Sequence, residues 1–248
     1  RQELGQYGGS LIRRLHAEGC LGPQMNFAHS VWLAPDEIDI LAETGAGTVL
    51  NPQGNLKMQC GLPPIKSLMR AGVRIGLGCD NCSCSDAQNM YAAMKLFSLL
   101  AVVSDLRKGP PPAMEALKAA TEGGAQGARL GHLIGRIAPG FKADLSILDL
   151  SDPSFVPLNS VARQLVNIEG GRTVRHVMVD GKWVVRDRRV TSVDEAAVFA
   201  EVEAIMPTFR KDFDAITKRV ATLQPWLDEA QEMMDAADVG IERLPRLR

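Results

Sequence analysis

Residues 73–81 read VRIGLGCDN, and this segment is the strongest indication of the fold class. Its run of small and aliphatic residues is typical of a strand buried inside a parallel sheet. Asp80 places a carboxylate at the end of that strand. An unpaired buried carboxylate is costly, so we expect Asp80 to face a metal ion or a cationic group.

Strands and helices alternate around this stretch. The pattern predicts strand 25–29, helix 35–44, strand 48–51, helix 63–71, strand 73–78 and helix 86–104. Such alternation predicts a parallel sheet. Three units of about 25 residues are well short of the roughly 250 residues of a closed eight-stranded α/β barrel.

The remainder of the chain has a different texture. After a linker at 108–112 we predict helices 113–121 and 125–130, then strands 135–137, 143–148, 174–179 and 183–186 in a small antiparallel domain. Asp180-Gly181 predicts a two-residue hairpin turn. A helical period returns from Val193, with breaks expected at Pro207 and Pro225, and its apolar face predicts packing in a core or a dimer.

Composition narrows the classes of function. The 28 basic and 29 acidic side chains give a net charge of -1, which argues against nucleic acid as a partner. No apolar run approaches the ~20 residues of a membrane span. The five cysteines fit no secreted disulfide framework, so we predict free thiols and a cytoplasmic protein.

Three polar residues stand at the predicted strand ends, where parallel α/β barrels build their active sites: His29, Asn51 and Asp80. The cysteines at 79, 82 and 84 could instead suggest a zinc site. No second pair of ligands accompanies them, so we interpret them as small residues packing a tight loop.

Several motifs resemble the amidohydrolase superfamily, in the branch that deaminates cytosine, guanine, adenosylhomocysteine and s-triazines. They are AHSVWL at 28–33, NPQGNLK at 51–57, GLGCDN at 76–81, the glycine-punctuated passage from Thr121 to Asp144, and VMVDGK at 177–182. The first three are similar to the motifs on strands 6, 7 and 8 of that branch. The resemblance covers about residues 10 to 190.

The resemblance implies a fold class of α/β: the C-terminal part of a distorted (β/α)8 metal-dependent hydrolase barrel, a small β-sandwich and C-terminal helices. The corresponding domains are 1–132, 133–192 and 193–248. We also expect a homo-oligomer. The sandwich strands normally pair with an N-terminal segment, so we expect the missing N-terminal half in the same protein or in a second chain.

The resemblance also implies a site with one divalent metal, zinc or alternatively iron. Asp80 corresponds to a metal ligand that also accepts a proton from the attacking water. His29 corresponds to a histidine that hydrogen-bonds the metal-bound water or the substrate. Asn55, Asn51 and Gln53 would line the substrate pocket.

The implied function is metal-dependent hydrolytic deamination of a nitrogen heterocycle of purine, pterin, pyrimidine or triazine type, with release of ammonia. Three departures qualify it: Gln53-Gly54 replaces the usual Ser, residues 81–86 form an unusual loop, and the family's His-x-His pair has no counterpart. The alternatives are a hydrolase of the same site that expels an alkylamine or chloride, and a non-catalytic binding protein or inactive fragment.

Overall fold

A computed structural model describes residues 9–104, 109, 112–236, 238 and 240–244. Its strands are β1 Asn26–Ala28, β2 Gly47–Leu50, β3 Arg74–Leu77, β4 Leu145–Leu148, β5 Val174–Val179, β6 Lys182–Arg186 and β7 Arg189–Val190. Its α-helices are α1 Leu11–Ala17, α2 Pro35–Thr44, α3 Pro52–Lys57, α4 Ile65–Ala71, α5 Cys82–Ser85, α6 Met90–Val103, α7 Ala113–Lys118, α8 Gly124–Gly127, α9 Val161–Asn167, α10 Glu195–Ala221 and α11 Gln224–Ala236. Positions 108, 110 and 111 of the predicted linker lie outside the described residues.

The strands β1, β2 and β3 form a parallel sheet in that order. The pairing sets Phe27 beside Thr48 and Thr48 beside Ile75, so the three strands end at one edge. This confirms the predicted parallel sheet. In the part of the chain that the structure describes, the sheet has three strands, and the barrel to which they would belong stays a prediction.

Helices α2 and α4 return the chain between these strands, close to the predicted ranges. Pro35 opens α2, and the Glu37 carboxylate accepts a hydrogen bond from the Ala34 amide at 2.6 Å, a bond that caps the helix. Gly45 and Gly72 end α2 and α4 in the left-handed conformation, with φ of 70° and 76°.

The core lies between the sheet and these helices. Leu41, Leu50, Ile65 and Leu68 are fully buried, and Phe97 of α6 reaches the same cluster. Burying each such side chain contributes roughly 1.5–3 kcal/mol. This layer therefore holds the edge of the sheet in place.

The strands β4 to β7 form a separate antiparallel sheet in sequence order. Asp180 and Gly181 join β5 to β6 with φ of 49° and 77°, the positive pair that a type I′ turn requires, so the predicted hairpin is confirmed. The predicted division of the chain at 132 and 192 into domains stays a prediction, as does the β-sandwich.

The prediction of a strand at 135–137 is wrong. Gly135 turns with φ of 97°, and a Cβ there would come within 2.8 Å of the Ala125 Cβ, so the chain crosses close over a helix. Arg136 then forms an ion pair with Glu122, 2.8 Å apart. The apolar Ile137, which suggested a strand, is 91% exposed.

Helix α6 begins later than the predicted 86–104. Asp86 ends the short helix α5 with φ of 60°, and the Asn89 side chain caps α6 by accepting from the amides of Tyr91 and Ala92 at 3.0 and 3.2 Å. Helices α3, α5 and α9 were not predicted, because each is too short for a helical period to be visible.

The helical segments predicted at 113–121 and 125–130 are continuous, because a π-helical stretch, Ala119–Gly123, joins α7 to α8. Gly123 and Gly124 keep helical φ of -65° and -59°. Gly123 is needed there because a Cβ would lie 2.0 Å from the Ile75 carbonyl oxygen of β3. The glycine pair allows a close approach of helix to strand rather than a break.

The break predicted at Pro207 is also wrong, whereas the one predicted at Pro225 is confirmed, because α10 ends at Ala221 and α11 begins at Gln224. Pro207 lies inside α10. The helix is exposed there, so water can bond the carbonyl that proline leaves unpaired. Pro225 lies in the first turn of α11, where its missing amide is tolerated. None of the described helices combines the length and the apolar character needed to cross a membrane.

Two adjacent glycines test the contact between β3 and the π-helical stretch Ala119–Gly123. Gly123→Ala should lower the free energy of unfolding by about 1–3 kcal/mol, because its Cβ meets the Ile75 backbone. Gly124→Ala meets nothing closer than 3.8 Å and should be neutral or stabilising by up to about 1 kcal/mol. Urea unfolding followed by circular dichroism measures both. Equal effects would contradict the contact.

Candidate functional site

The three predicted strand-end residues meet at the same edge of the parallel sheet. His29 directly follows β1, Asn51 directly follows β2, and Asp80 lies three residues beyond the end of β3. The His29 amide donates to the Val49 carbonyl at 2.9 Å, and the Gly78 amide donates to the Leu50 carbonyl at 2.9 Å. The sheet pairing thus continues up to the site and positions the side chains of His29 and Asp80.

His29 and Asp80 face each other. The His29 Nε2 and the Asp80 Oδ2 are 3.5 Å apart. The Asp80 side chain is 23% exposed and the His29 side chain 43%, so a small molecule can reach both. The structure brings together the two residues predicted to carry the chemistry.

Their backbone is strained. His29, Ser30 and Asp80 have φ of 65°, 46° and 61°, in the left-handed region that costs a residue with a side chain about 1–2 kcal/mol. Thr48 holds the first turn by donating to the Ser30 Oγ at 2.6 Å. Residues in this conformation cluster at functional sites, where the surrounding structure holds them.

Asn55 fixes the orientation of the imidazole. It is fully buried on α3, and its Oδ1 lies 2.7 Å from the His29 Nδ1. An amide oxygen only accepts hydrogen bonds, so Nδ1 carries a proton in this arrangement. The other ring nitrogen, Nε2, therefore faces the Asp80 carboxylate, where a proton, a water molecule or a cation can lie between the two groups.

Asn51 and Gln53, the other predicted pocket residues, make contacts of a structural kind. A Cβ on Gly78 would come within 2.5 Å of the Asn51 Oδ1. The buried Asn51 amide therefore covers the glycine that follows β3. The Gln53 Nε2 donates to the Ser85 carbonyl and links α3 to α5. Their part in binding substrate stays a prediction, as do the roles of the other site residues.

Sequence reasoning missed three neighbours of Asp80. Gly54 lies against the carboxylate, since a Cβ there would be 3.3 Å from the Asp80 Oδ2. The Asn81 amide donates to the Asp80 Oδ1 at 2.8 Å, and the Gln88 Nε2 donates to the Asp80 carbonyl at 2.6 Å. The departure from the family pattern at Gln53-Gly54 was the one signal that could have pointed to Gly54.

The cysteines near this edge are free. Burial raises the pKa of the Cys60 thiol, and the nearby Cys84 and Asp80 raise it further. Burial also raises the pKa of Cys79, against a backbone hydrogen bond from Asn89 that lowers it. Of the loop cysteines, Cys79 and Cys84 are half-buried, as the packing interpretation predicts, whereas Cys82 is exposed and contradicts it. Trp32 donates its Nε1 hydrogen to the Cys60 carbonyl at 2.8 Å.

The donor atoms at this edge suit part of a metal site. A catalytic zinc ion takes about three protein ligands and one water. Asp80 and His29 offer one carboxylate and one imidazole nitrogen, and the described residues contain no group of three His, Cys, Asp or Glu arranged to hold a metal. The two groups can therefore contribute to a metal site without completing one.

A cavity of about 700 Å³ lies elsewhere, between α6, α7, α8 and β4. Met90, Leu117, Ile134 and Leu145 are among its lining residues, and none of the predicted site residues lines it. The candidate site is therefore an open edge of the sheet, distinct from this apolar cavity.

Comparison with known proteins agrees with the resemblance of the motifs. A model of the amidohydrolase family matches residues 4–184. A 5'-deoxyadenosine deaminase from Methanosarcina mazei is 34% identical over 198 residues, which cover 80% of this chain and 45% of that protein. The chain spans about half the length of the curated relatives that it matches.

Solved structures with bound zinc have a similar fold. An adenosine deaminase from Xanthomonas campestris superposes with a TM-score of 0.80 at 31% identity, over 84% of this chain and 48% of that one. The atrazine chlorohydrolase TrzN from Arthrobacter aurescens superposes with a TM-score of 0.76 at 25% identity, over 83% of this chain and 46% of that one.

The hydrogen bond between Asn55 and His29 predicts one tautomer. In Asn55→Leu, Nδ1 loses its acceptor, and we expect the protonated nitrogen to shift partly to Nε2. Long-range ¹H–¹⁵N spectra separate the two tautomers, and the chain has only 4 histidines to assign. Asn51→Leu is the matched control, because it leaves the Asn55–His29 bond in place. An unchanged His29 spectrum in Asn55→Leu would contradict the assignment.

Proposed function

This chain belongs to the amidohydrolase family, and we propose that it supplies part of a metal-dependent site that hydrolytically deaminates the adenine ring of a nucleoside. The observation that carries the proposal is the juxtaposition of the Asp80 carboxylate and the His29 imidazole, 3.5 Å apart, at the edge where parallel strands end. The names of the Methanosarcina and Xanthomonas relatives support a purine nucleoside as the substrate class within the broader set of nitrogen heterocycles.

We propose zinc as the metal, because the Xanthomonas and Arthrobacter structures contain it. Asp80 and His29 would help to hold a divalent metal, which would supply a water molecule of lowered pKa as a nucleophile at neutral pH. The remaining ligands would come from polypeptide outside these 248 residues, in the same protein or a second chain.

Asp80 is suited to hold and move the proton of the attacking water. The Asn81 amide holds one carboxylate oxygen at 2.8 Å, which leaves Oδ2 directed towards His29. A carboxylate in that position can accept a proton from a water molecule while the water oxygen attacks the amino-bearing ring carbon. The carboxylate can then deliver this proton to the departing amino group, which leaves as ammonia.

His29 is suited to orient the reacting water or the ring. Because Asn55 occupies Nδ1, the other ring nitrogen, Nε2, is left to form a hydrogen bond with water or with substrate. The hydrogen bond with Asn55 also limits rotation of the imidazole, so the His29 Nε2 stays directed at the same point as the Asp80 Oδ2. Preorganised groups of this kind need no rearrangement during the reaction.

Two alternatives share the observations in part. A hydrolase that expels chloride or an alkylamine would use the same water-activating groups, and the likeness to the atrazine chlorohydrolase supports it. A binding protein without a metal is compatible with a site that has only two donors in the described residues.

We also propose a cytoplasmic location, which the five free cysteines support.

The first experiment combines metal content, intact mass and an ammonia assay. Purified protein should contain about one zinc per site, with polypeptide mass beyond 26.8 kDa, and should release ammonia from adenosine or 5'-deoxyadenosine. Release of chloride or an alkylamine from triazines without deamination would favour the first alternative. Metal-free, folded protein with a single 26.8 kDa chain would overturn the catalytic proposal.

Asp80→Asn should reduce kcat by about 10²–10⁴, because the amide cannot accept the proton of the attacking water. Asp86→Asn is the matched control. Asp86 ends α5 and forms an ion pair with Lys57 of α3, but its side chain is 74% exposed. Surface pairs contribute about 0–1 kcal/mol, so its loss should change kcat by at most about fivefold. Steady-state ammonia release measures both, and similar losses in the two variants would contradict the role of Asp80.

A further inference from the structure

Helix α10 has an apolar face that nothing in the described structure covers. No residue of this helix is buried. Seven of its apolar residues, which we call the apolar seam, have exposures from 42% to 58%: Val198, Val202, Ile205, Phe209, Phe213, Ile216 and Val220. The rings of Phe209 and Phe213 stack at 5.9 Å in the middle of the seam.

The seam is a straight stripe. At 100° per residue, all seven side chains lie within about 40° of Phe209, and the seam is about 33 Å long at 1.5 Å per residue. Pro207 lies about 160° away, on the opposite face, so its ring does not interrupt the stripe. Spacings of three and four residues of this kind are typical of a helix that packs along another helix.

The seam is symmetric about its centre. Ile205 and Phe213 lie 4 residues from Phe209 on either side, Val202 and Ile216 lie 7, and Val198 and Val220 lie 11. In an antiparallel pair of identical helices with the two-fold axis at Phe209, each apolar residue therefore faces an apolar residue. A partner of unrelated sequence would not require this symmetry.

Charge indicates the same partner. Residues 194–208 carry 4 acidic side chains and no Lys or Arg, whereas residues 209–221 carry 4 basic and 2 acidic ones. An antiparallel pair sets the acidic half of each helix against the basic half of the other. Glu201 and Arg219 both lie about 80° from the seam on the same side, where flanking residues of paired helices meet.

We propose that a second copy of this chain packs antiparallel on α10, with the two-fold axis at Phe209 and with Glu201 of each copy beside the partner's Arg219. Such an isologous pair is the commonest form of homodimer. It would remove both seams from water and cluster the two Phe209–Phe213 stacks at its centre. The proposal is independent of the proposed enzymatic function.

Cysteine cross-linking of the full chain tests the register. Phe209→Cys should form a disulfide-linked dimer under mild oxidation, because residue 209 faces itself across the axis. Val202→Cys should link to Ile216→Cys in a mixture of the two variants. Ala200→Cys, on the opposite face of α10, is the matched control. Peptide mass spectrometry distinguishes these links from those of the native cysteines. Linking of Val202→Cys to itself would indicate a parallel pair and overturn the proposal.

Charge reversal tests the partner. Glu201→Arg and Arg219→Glu should each weaken self-association roughly tenfold, because each replaces two attractive pairs with two repulsive ones, and the double variant should restore it. Sedimentation equilibrium measures the dissociation constant, and circular dichroism checks the helix. A monomeric wild-type chain at tens of micromolar, or a double variant as weak as the singles, would assign the seam to another partner and overturn the proposal.

Discussion

The parallel pairing of β1, β2 and β3 is the constraint on which the candidate site depends. Parallel strands end at the same edge, so residues far apart in the chain are brought together there. His29 and Asp80 are 51 positions apart in sequence but have side-chain atoms 3.5 Å apart. Any shift of register between β1, β2 and β3 would separate them. The buried leucines and Phe97 behind the sheet therefore serve the site, although none of them touches it.

At that edge, unfavourable local geometry holds the His29 and Asp80 side chains in their orientations. The left-handed turns at His29 and Asp80 cost about 1–2 kcal/mol each. Asn55 is buried with its Nδ2 lacking a hydrogen-bond partner among the described residues, a further cost of about 1–3 kcal/mol. A leucine would remove that last cost but would leave Nδ1 of His29 without its acceptor. We infer that the orientation of the imidazole, rather than stability, explains an asparagine at this position.

The sequence allowed accurate prediction wherever a pattern had a local cause. Strand and helix alternation, the glycines that end α2 and α4, and the Asp180-Gly181 hairpin all depend on residues close in sequence. Tertiary contacts explain two of the errors. The gap predicted between helices 113–121 and 125–130 is absent because Gly123 permits close approach to Ile75, and the segment predicted as strand 135–137 turns at Gly135 where it crosses a helix. The error at Pro207 has a different cause, the exposure of α10 to water. The site behaved likewise: His29 and Asp80 could be placed at strand ends, whereas the Asn55 bond crosses between elements and left no trace in the local pattern.

Helices α2 and α10 have similar apolar periodicity but differ in burial, which shows what such a pattern cannot predict. Both have apolar residues at spacings of three and four, yet Leu41 of α2 is fully buried and Ile205 of α10 is 58% exposed. The periodicity indicates only that a face needs a partner. For α2 the partner is the hydrophobic core of the same chain, which the alternation of elements also predicts. For α10 the additional information lies in symmetry: a stripe that reads the same in both directions, with opposite charge in its two halves, is complementary to its own reverse.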